Sequence, residues 1–391
     1  DFFTVDRDRP GVFLGTYLLL QGWPEGRIGV ISFIKDIVSL FFQTPMGDII
    51  DKTTKKREYI YWSDIILAIF SMTIIFRPTY GWVSFCMVVQ GIVLTVIPPA
   101  LYGVTLGMIG SQRLPEQSSL NETYKHGGTA VYALLAGVTS YYGEDYMIFV
   151  LVLVSALVAV PLVLCIRPDM IDDNKARGLV PNKEGVTSNE AASYRSIMSD
   201  RNIVILLVSV LFFHLGNAAM LPLLSQLLAL GDSETGILVT AVNICIAQLL
   251  IIPSALVVGQ KSKVWGTKNI FLLGMLFVPL RGVIILACLA HPGENTVMLI
   301  LTQLLDGIAA GFFTVVVVLI TEQLTRGSGR FNFVYGMVNT SQAVGGAFSN
   351  LIAQAIAEQE GYSGAFVFLT IMALIPLVVF GVMMPSTIVA A

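Results

Sequence analysis

Apolar stretches of about 20 residues recur along the chain, each closed by a short polar segment. A helix rises about 1.5 Å per residue, so a stretch of that length crosses the roughly 30 Å hydrocarbon core of a bilayer. The pattern predicts twelve such spans. The first ends near Leu20, and the next five cover residues 28–50, 59–76, 82–106, 120–141 and 147–166. A polar stretch, 167–201, follows, and then six more spans at 203–228, 235–258, 269–289, 297–320, 331–357 and 365–384. Helices are expected throughout, because lipid offers no partner to an open backbone N–H or C=O. The expected class is an all-α integral membrane protein. Its two six-helix bundles would be residues 1–166 and 202–391, joined by a linker at 167–201.

Composition agrees with lipid as the solvent. The chain is 55% hydrophobic and only 13% charged, where a soluble domain carries about a quarter charged residues. A net charge of −3 speaks against a nucleic-acid partner. Cys86, Cys165, Cys245 and Cys288 all lie in apolar runs without metal-ligand spacing and read as small core residues. The chain starts at Asp1 with a short first span, so further residues upstream are expected.

Lys and Arg are distributed unevenly. One set of loops holds Lys52, Lys55, Lys56, Arg57, Arg113, Lys261, Lys263, Lys268, Arg326 and Arg330, and the linker adds six more basic residues; the opposite loops hold only Arg27 and Arg77. The positive-inside rule then puts the linker, and by parity both chain ends, in the cytoplasm. The plasma membrane is the expected location, with an organelle membrane as the alternative.

The two halves repeat each other in register. Gly29 matches Gly236 at an offset of 207, Gln90-Gly91 matches Asp306-Gly307 at 216, and the string beginning Leu120-Asn121 matches Phe331-Asn332 at 211. A parallel six-plus-six repeat is the architecture in which two bundles rock about a central site.

The loop after the second span reads Gly47-Asp48-Ile49-Ile50-Asp51-Lys52, then Lys55-Lys56-Arg57. It resembles the signature loop of the major facilitator superfamily, with Thr54 where the family usually has a second Gly. A degenerate copy follows the eighth span, with Gly259, then Lys263 in place of Asp, then Gly266 and Lys268. The resemblance covers essentially the whole chain and implies a transporter with a cytoplasmic gate at Gly47, Asp51, Lys52 and Arg57. Gly47 would admit a neighbouring helix. Asp51 would accept hydrogen bonds from a helix N-terminus, and Lys52 and Arg57 would pair with acids of the other half. For Lys55, Lys56 and Arg57 simple membrane anchoring is the competing reading. Met87 stands where drug/proton antiporters carry Arg, and the fifth span lacks their Gly-Pro pair.

Ionisable residues at bilayer depth cost about 2.5–3.5 kcal/mol each on insertion scales and mark functional sites by default. The first span holds Arg7 and Asp8, with Asp8 close to the midplane by helical rise. The resemblance implies that the first, fourth, seventh and tenth spans line the cavity, which ranks Arg7, Asp8, Gln90, His214, Asn217 and Asp306 first. Lys35, Asp36, Lys125, His126, Asn243 and Gln342 come second, on flanking helices. For His214 a hydrogen-bonded structural role competes with function. Arg281 is read as peripheral, a structural ion pair or lipid headgroup contact being as good a reading as substrate binding.

No phosphate-binding loop, zinc-protease motif or nucleophile elbow is present in the sequence, so neither an enzyme nor a cofactor is expected. The reading is a secondary active transporter moving a small polar organic solute by alternating access, with protons as coupling ion. Its partners would be the solute, protons and the bilayer, with no metal and no nucleic acid, and the chain is expected to be a monomer. The alternatives are a multidrug/proton exporter and a transporter-shaped receptor without net flux.

Overall fold

The computed structural model describes residues 14, 17–18, 21, 23, 25–142, 146–179, 191–231 and 236–385, with 25–26, 28–29, 32, 130, 133–134, 136–142, 148, 229–231 and 236–245 described by backbone alone. The described chain is helical. In order it runs through α1 (Glu25–Lys52), α2 (Lys56–Phe76), α3 (Tyr80–Leu94), α4 (Ile97–Tyr142) and α5 (Met147–Leu164). The short helices α6 (Asp173–Ala176) and α7 (Tyr194–Met198) lie in the linker. Then come α8 (Arg201–Asn217), α9 (Met220–Gly231), α10 (Gly236–Trp265), α11 (Thr267–Cys288), α12 (Thr296–Thr325) and α13 (Phe331–Met383).

Two helical stretches are too long for one crossing. Tyr80–Thr129, which runs through α3 into α4, is 50 residues and α13 is 53, and each holds a glycine with left-handed φ, Gly110 at 69° and Gly361 at 79°. A residue bearing Cβ is strained there. Six described helical stretches are long and apolar enough to cross a membrane. Counting the two divided ones twice and adding α1, α5 and α10 brings the described spans to eleven. The twelfth, ending near Leu20, lies largely outside the described residues.

Local chemistry sets the breaks. After α3, Thr95 folds its hydroxyl onto the Ile92 carbonyl at 2.6 Å, and Pro98 and Pro99 supply no N–H to continue the ladder. The seventh span is also divided. Asp200 caps its start, accepting from the backbone N–H groups of Asn202 and Ile203, as an N-cap aspartate does. The helix then stops at Asn217, and Pro222 lies just beyond. The freed Ala219 N–H donates to Ser349 Oγ at 3.0 Å. Non-helical backbone at membrane depth is tolerated only where a neighbour satisfies it in this way.

The described residues form two compact units. The first comprises those up to Leu114, Tyr124–Ala191 and Thr325–Met337; the second comprises Pro115–Thr123, Ala192–Leu324 and Val338–Ala391 as far as described. The start of the fifth span therefore clusters with the second unit and the start of the eleventh with the first.

Inside each unit the repeat is visible as a shared contact. In the first, a Cβ on Gly91 would lie 2.8 Å from the Lys35 carbonyl oxygen and 3.2 Å from Val38 Cβ. In the second, a Cβ on Gly307 would lie 2.5 Å from the Ala247 carbonyl oxygen and 2.6 Å from Leu250 Cβ. Both pairs join the second helix of a half to its fourth, and in both only glycine lets the backbones meet.

Candidate transport site

A buried polar cluster occupies the second unit. Arg281, on α11, is fully buried. Its Nη1 donates to Asp306 Oδ1 on α12 at 2.8 Å and to Asn217 Oδ1 at the end of α8 at 3.3 Å. Its Nη2 donates to Gln303 Oε1 at 3.0 Å. Gln303 is fully buried too, while Asp306 keeps 14% of its side chain exposed. The helix break after Asn217 lies directly beside this cluster. One turn earlier on α8, His214 directs Nδ1 to the Val210 carbonyl at 3.1 Å and sets its ring edge-on to Phe313, with centroids 4.9 Å apart.

Two top-ranked residues, Asn217 and Asp306, thus meet through Arg281. The peripheral reading of Arg281 is corrected by its full burial and its contact with both. Gln303 does not stand out in the sequence, although it lies one turn before Asp306 on the same helix.

The first unit has the same contact without the charge. Gln90 Nε2 lies 3.4 Å from Ser71 Oγ, joining the fourth span to the third. Ser71 precedes Arg281 by 210 residues and Gln90 precedes Asp306 by 216, so a neutral pair stands where the second unit has an ion pair.

The remaining candidates are more scattered. Lys35 and Asp36 are sequence neighbours whose charged atoms approach to 4.0 Å, with Asp36 73% exposed. His126 is buried, Lys125 half-buried and Gln342 exposed. Arg7, Asp8 and the side chain of Asn243 lie outside the described residues. Further buried carboxylates, which do not stand out in the sequence, are Asp64 on α2, Glu122 on α4 and Glu322 on α12.

The candidate gate residues lie in the first unit. Asp51 is buried and accepts from Asn332 N at 3.1 Å, Asn332 Nδ2 at 2.9 Å and Phe333 N at 2.8 Å, the first backbone donors of α13. A side chain on Gly47 would overlap the Asn332 carbonyl oxygen. Asp51 stands just past the apolar run that ends at Ile50. Burial pushes its carboxyl up from the usual range to about 7, while the three N–H groups pull it down. Next to it Arg330 donates to Asp48 at 2.8 Å.

Three basic residues adjoin this contact. Lys52 donates to Asp48, on its own helix, at 2.6 Å. Arg57 donates to the backbone carbonyls of Ile166 at 2.7 Å and Leu164 at 3.5 Å, which are free at the end of the sixth span. Lys56, read as an anchor, is buried and paired with Asp173 of the linker at 2.9 Å.

The repeat mate of this contact is weaker. A side chain on Gly259 would overlap Ser119 at the start of the fifth span, so the close approach is kept. Lys263, in the place of Asp51, faces Glu116 at 3.7 Å with both side chains more than half exposed.

The family model described as Major Facilitator Superfamily matches residues 10–278 and 216–388. The chain belongs to the major facilitator superfamily. It is 34% identical over 384 residues to an uncharacterized MFS-type transporter of Mycobacterium tuberculosis, found in strains CDC 1551 / Oshkosh and H37Rv, covering 98% of this chain and 90% of that protein. Among solved structures it resembles the proton:xylose symporter XylE, with a TM-score of 0.76 at 9% identity over 99% of this chain and 94% of that one. It also resembles a bacterial homologue of the iron transporter ferroportin in its outward-facing state, with a TM-score of 0.74 at 14% identity over 97% and 96%. At these identities the likeness is one of fold. Membership of the superfamily makes the chain an integral, multi-pass membrane transporter working by alternating access, and the all-α, two-times-six-helix class expected from the sequence is its fold.

Proposed function

We propose that the chain is a proton-coupled secondary transporter of a small polar organic solute, with the Arg281–Asp306 cluster as its coupling site. The observation that carries this reading is the ion pair itself. At bilayer depth charged groups are retained for function more often than for stability. This one adjoins a divided helix, the usual place of substrate and ion sites in such folds. A library screen for thermal stabilisation of the purified chain supplies a solute to test, since ligand binding raises apparent stability. With that solute in proteoliposomes, Asp306→Asn is expected to lose accumulation driven by a pH gradient and to keep counterflow exchange. Loss of both activities in a folded variant would assign Asp306 a structural role instead.

The contact of Asp51 with the start of α13 serves as the gate in this proposal, on the cytoplasmic side. Lys175→Cys, in the linker, is then expected to react with an impermeant maleimide only after the cells are permeabilised. Labelling of intact cells would reverse the orientation.

A further inference from the structure

The Arg281 cluster has more donors than acceptors. A guanidinium carries five N–H groups, and Asp306, Asn217 and Gln303 accept one hydrogen bond each from Nη1 and Nη2. Arg281 Nε and Gln303 Nε2 are fully enclosed and have no acceptor. Donors enclosed in this way are costly, and the group that satisfies them must bring acceptor oxygens.

The charge of that group is limited by what surrounds it. Arg281 and Asp306 are the only Lys, Arg, Asp or Glu in the six spans of the second half. The elements packed on Asp306 bring few ionisable groups. From α11 comes Arg281, and from α8 come the neutral Asn217 and, near Phe313, His214. The described residues of α10 that meet α12 at Gly307 and Gly311 are Ala247, Leu250, Ile251, Ser254 and Ala255, none of them ionisable. One guanidinium neutralises one negative charge. It already holds a planar carboxylate, the shape a guanidinium matches best.

We infer that Arg281 receives the carboxylate of a small monocarboxylic solute, and that Asp306 is the resident carboxylate which the solute displaces. Asp306 takes up a proton from the water as it leaves Arg281, because a carboxylate without its counter-ion is not kept charged in such surroundings. The charge balances. The empty site holds one guanidinium and one carboxylate. The loaded site holds one guanidinium, one solute carboxylate and one neutral Asp306. One proton therefore travels with each monoanion, and the loaded and empty sites both have zero net charge. The partial exposure of Asp306 beside a buried Arg281 fits a displaceable partner. This inference rests on the cluster being the transport site.

The repeat provides the control. The Gln90–Ser71 contact shows that this helix pairing accommodates a neutral couple, so R281S combined with D306Q copies the first half into the second. The test uses the full chain in detergent with formate as probe. Asp306→Ala vacates the place of the carboxylate. Formate is expected to raise its melting temperature progressively with concentration, beyond chloride at equal ionic strength, as a ligand of the folded state does. The R281S/D306Q protein is expected to show no such shift. If Asp306→Ala folds only when formate is present, that supports the site as well. If it folds in neither medium, the wild type decides: formate added in weak buffer should draw about one proton per chain from solution, and none with R281S/D306Q, as the stoichiometry above requires.

Equal melting of Asp306→Ala in formate and chloride would overturn the inference. So would an equal response from R281S/D306Q, or absence of proton uptake by the wild type where that arm decides. A wild type that still accumulates its solute under a pH gradient, with a formate-blind Asp306→Ala, would remove the carboxylate assignment alone and leave the proton-coupled transporter standing.

Discussion

Arg281→Ser alone is expected to destabilise the folded chain by about 3–5 kcal/mol, the usual cost of removing one partner from a buried ion pair. The loss is large because Asp306, deprived of its counter-ion, must be protonated or stay charged without a partner, and Gln303 and Asn217 would each lose a donor. D306Q alone should cost a comparable amount, since it leaves a fully buried guanidinium. The double variant should lie close to the wild type, because neutral replacement of a buried pair is often without cost and Ser71 with Gln90 already occupies the equivalent place. Thermal melting of the four proteins in one detergent completes a double-mutant cycle. Additive losses, with the double variant the least stable of the four, would mean that the two side chains act independently and that the pair is not the organising feature of this unit.

Asp51→Ala is expected to undock the start of α13, at a cost of at least about 2 kcal/mol. Hydrogen bonds to a charged acceptor contribute about 1.5–3 kcal/mol each, and buried donors left open add to the penalty. Lys263→Ala, at the repeat-equivalent position, should cost less than about 1 kcal/mol, because its ion pair with Glu116 is long and exposed. Hydrogen exchange at the Asn332 and Phe333 amides reads the first effect directly, since both donate to Asp51. Equal protection in wild type and Asp51→Ala would remove Asp51 from the contact.

The contact also carries a pH dependence whose sign follows from the raised carboxyl. Docked, Asp51 titrates near 7; undocked in water it would titrate near 3.9, as a free aspartate does. The docked form holds a proton over the interval in which the undocked form has lost it. Docking is therefore favoured as the pH falls from about 7 towards 4 and is lost as the pH rises through 7. Asp51→Asn should abolish this dependence.

Much of the architecture could be read from residue order. Apolar runs of bilayer length located the spans, since no other backbone arrangement satisfies its own hydrogen bonds in lipid. The fourth span departed from its expected bounds because Thr95, Pro98 and Pro99 interrupt it, and the run 203–228 conceals a helix break because all its residues are apolar enough to belong to one span. Hydropathy registers the solvent of a residue and is blind to the continuity of the helix. The repeat was legible because Gly91 and Gly307 perform the same task of close approach, and only one residue type does it.

The candidate site was legible in part. Asp306 and Asn217 stood out as polar groups at membrane depth, and that reasoning needs only their position along a span. Arg281 reads as peripheral in the sequence because its span does, whereas a side chain of its length reaches across to two neighbouring helices. Lys56 reads as a surface anchor in the sequence because charge near a span end is ordinarily solvated, yet it is buried against Asp173, 117 residues away.

The sequence by itself determined the solvent of this protein, the number and order of its spans, its internal duplication and the family loop at Gly47 to Arg57. All of these are periodic or local along the chain. Only the tertiary structure decided which charges meet. Arg281 pairs with Asp306 across 25 residues and Asp51 meets Asn332 across 281. The direction in which a helix face points depends on every helix packed around it, and no spacing along one segment encodes that.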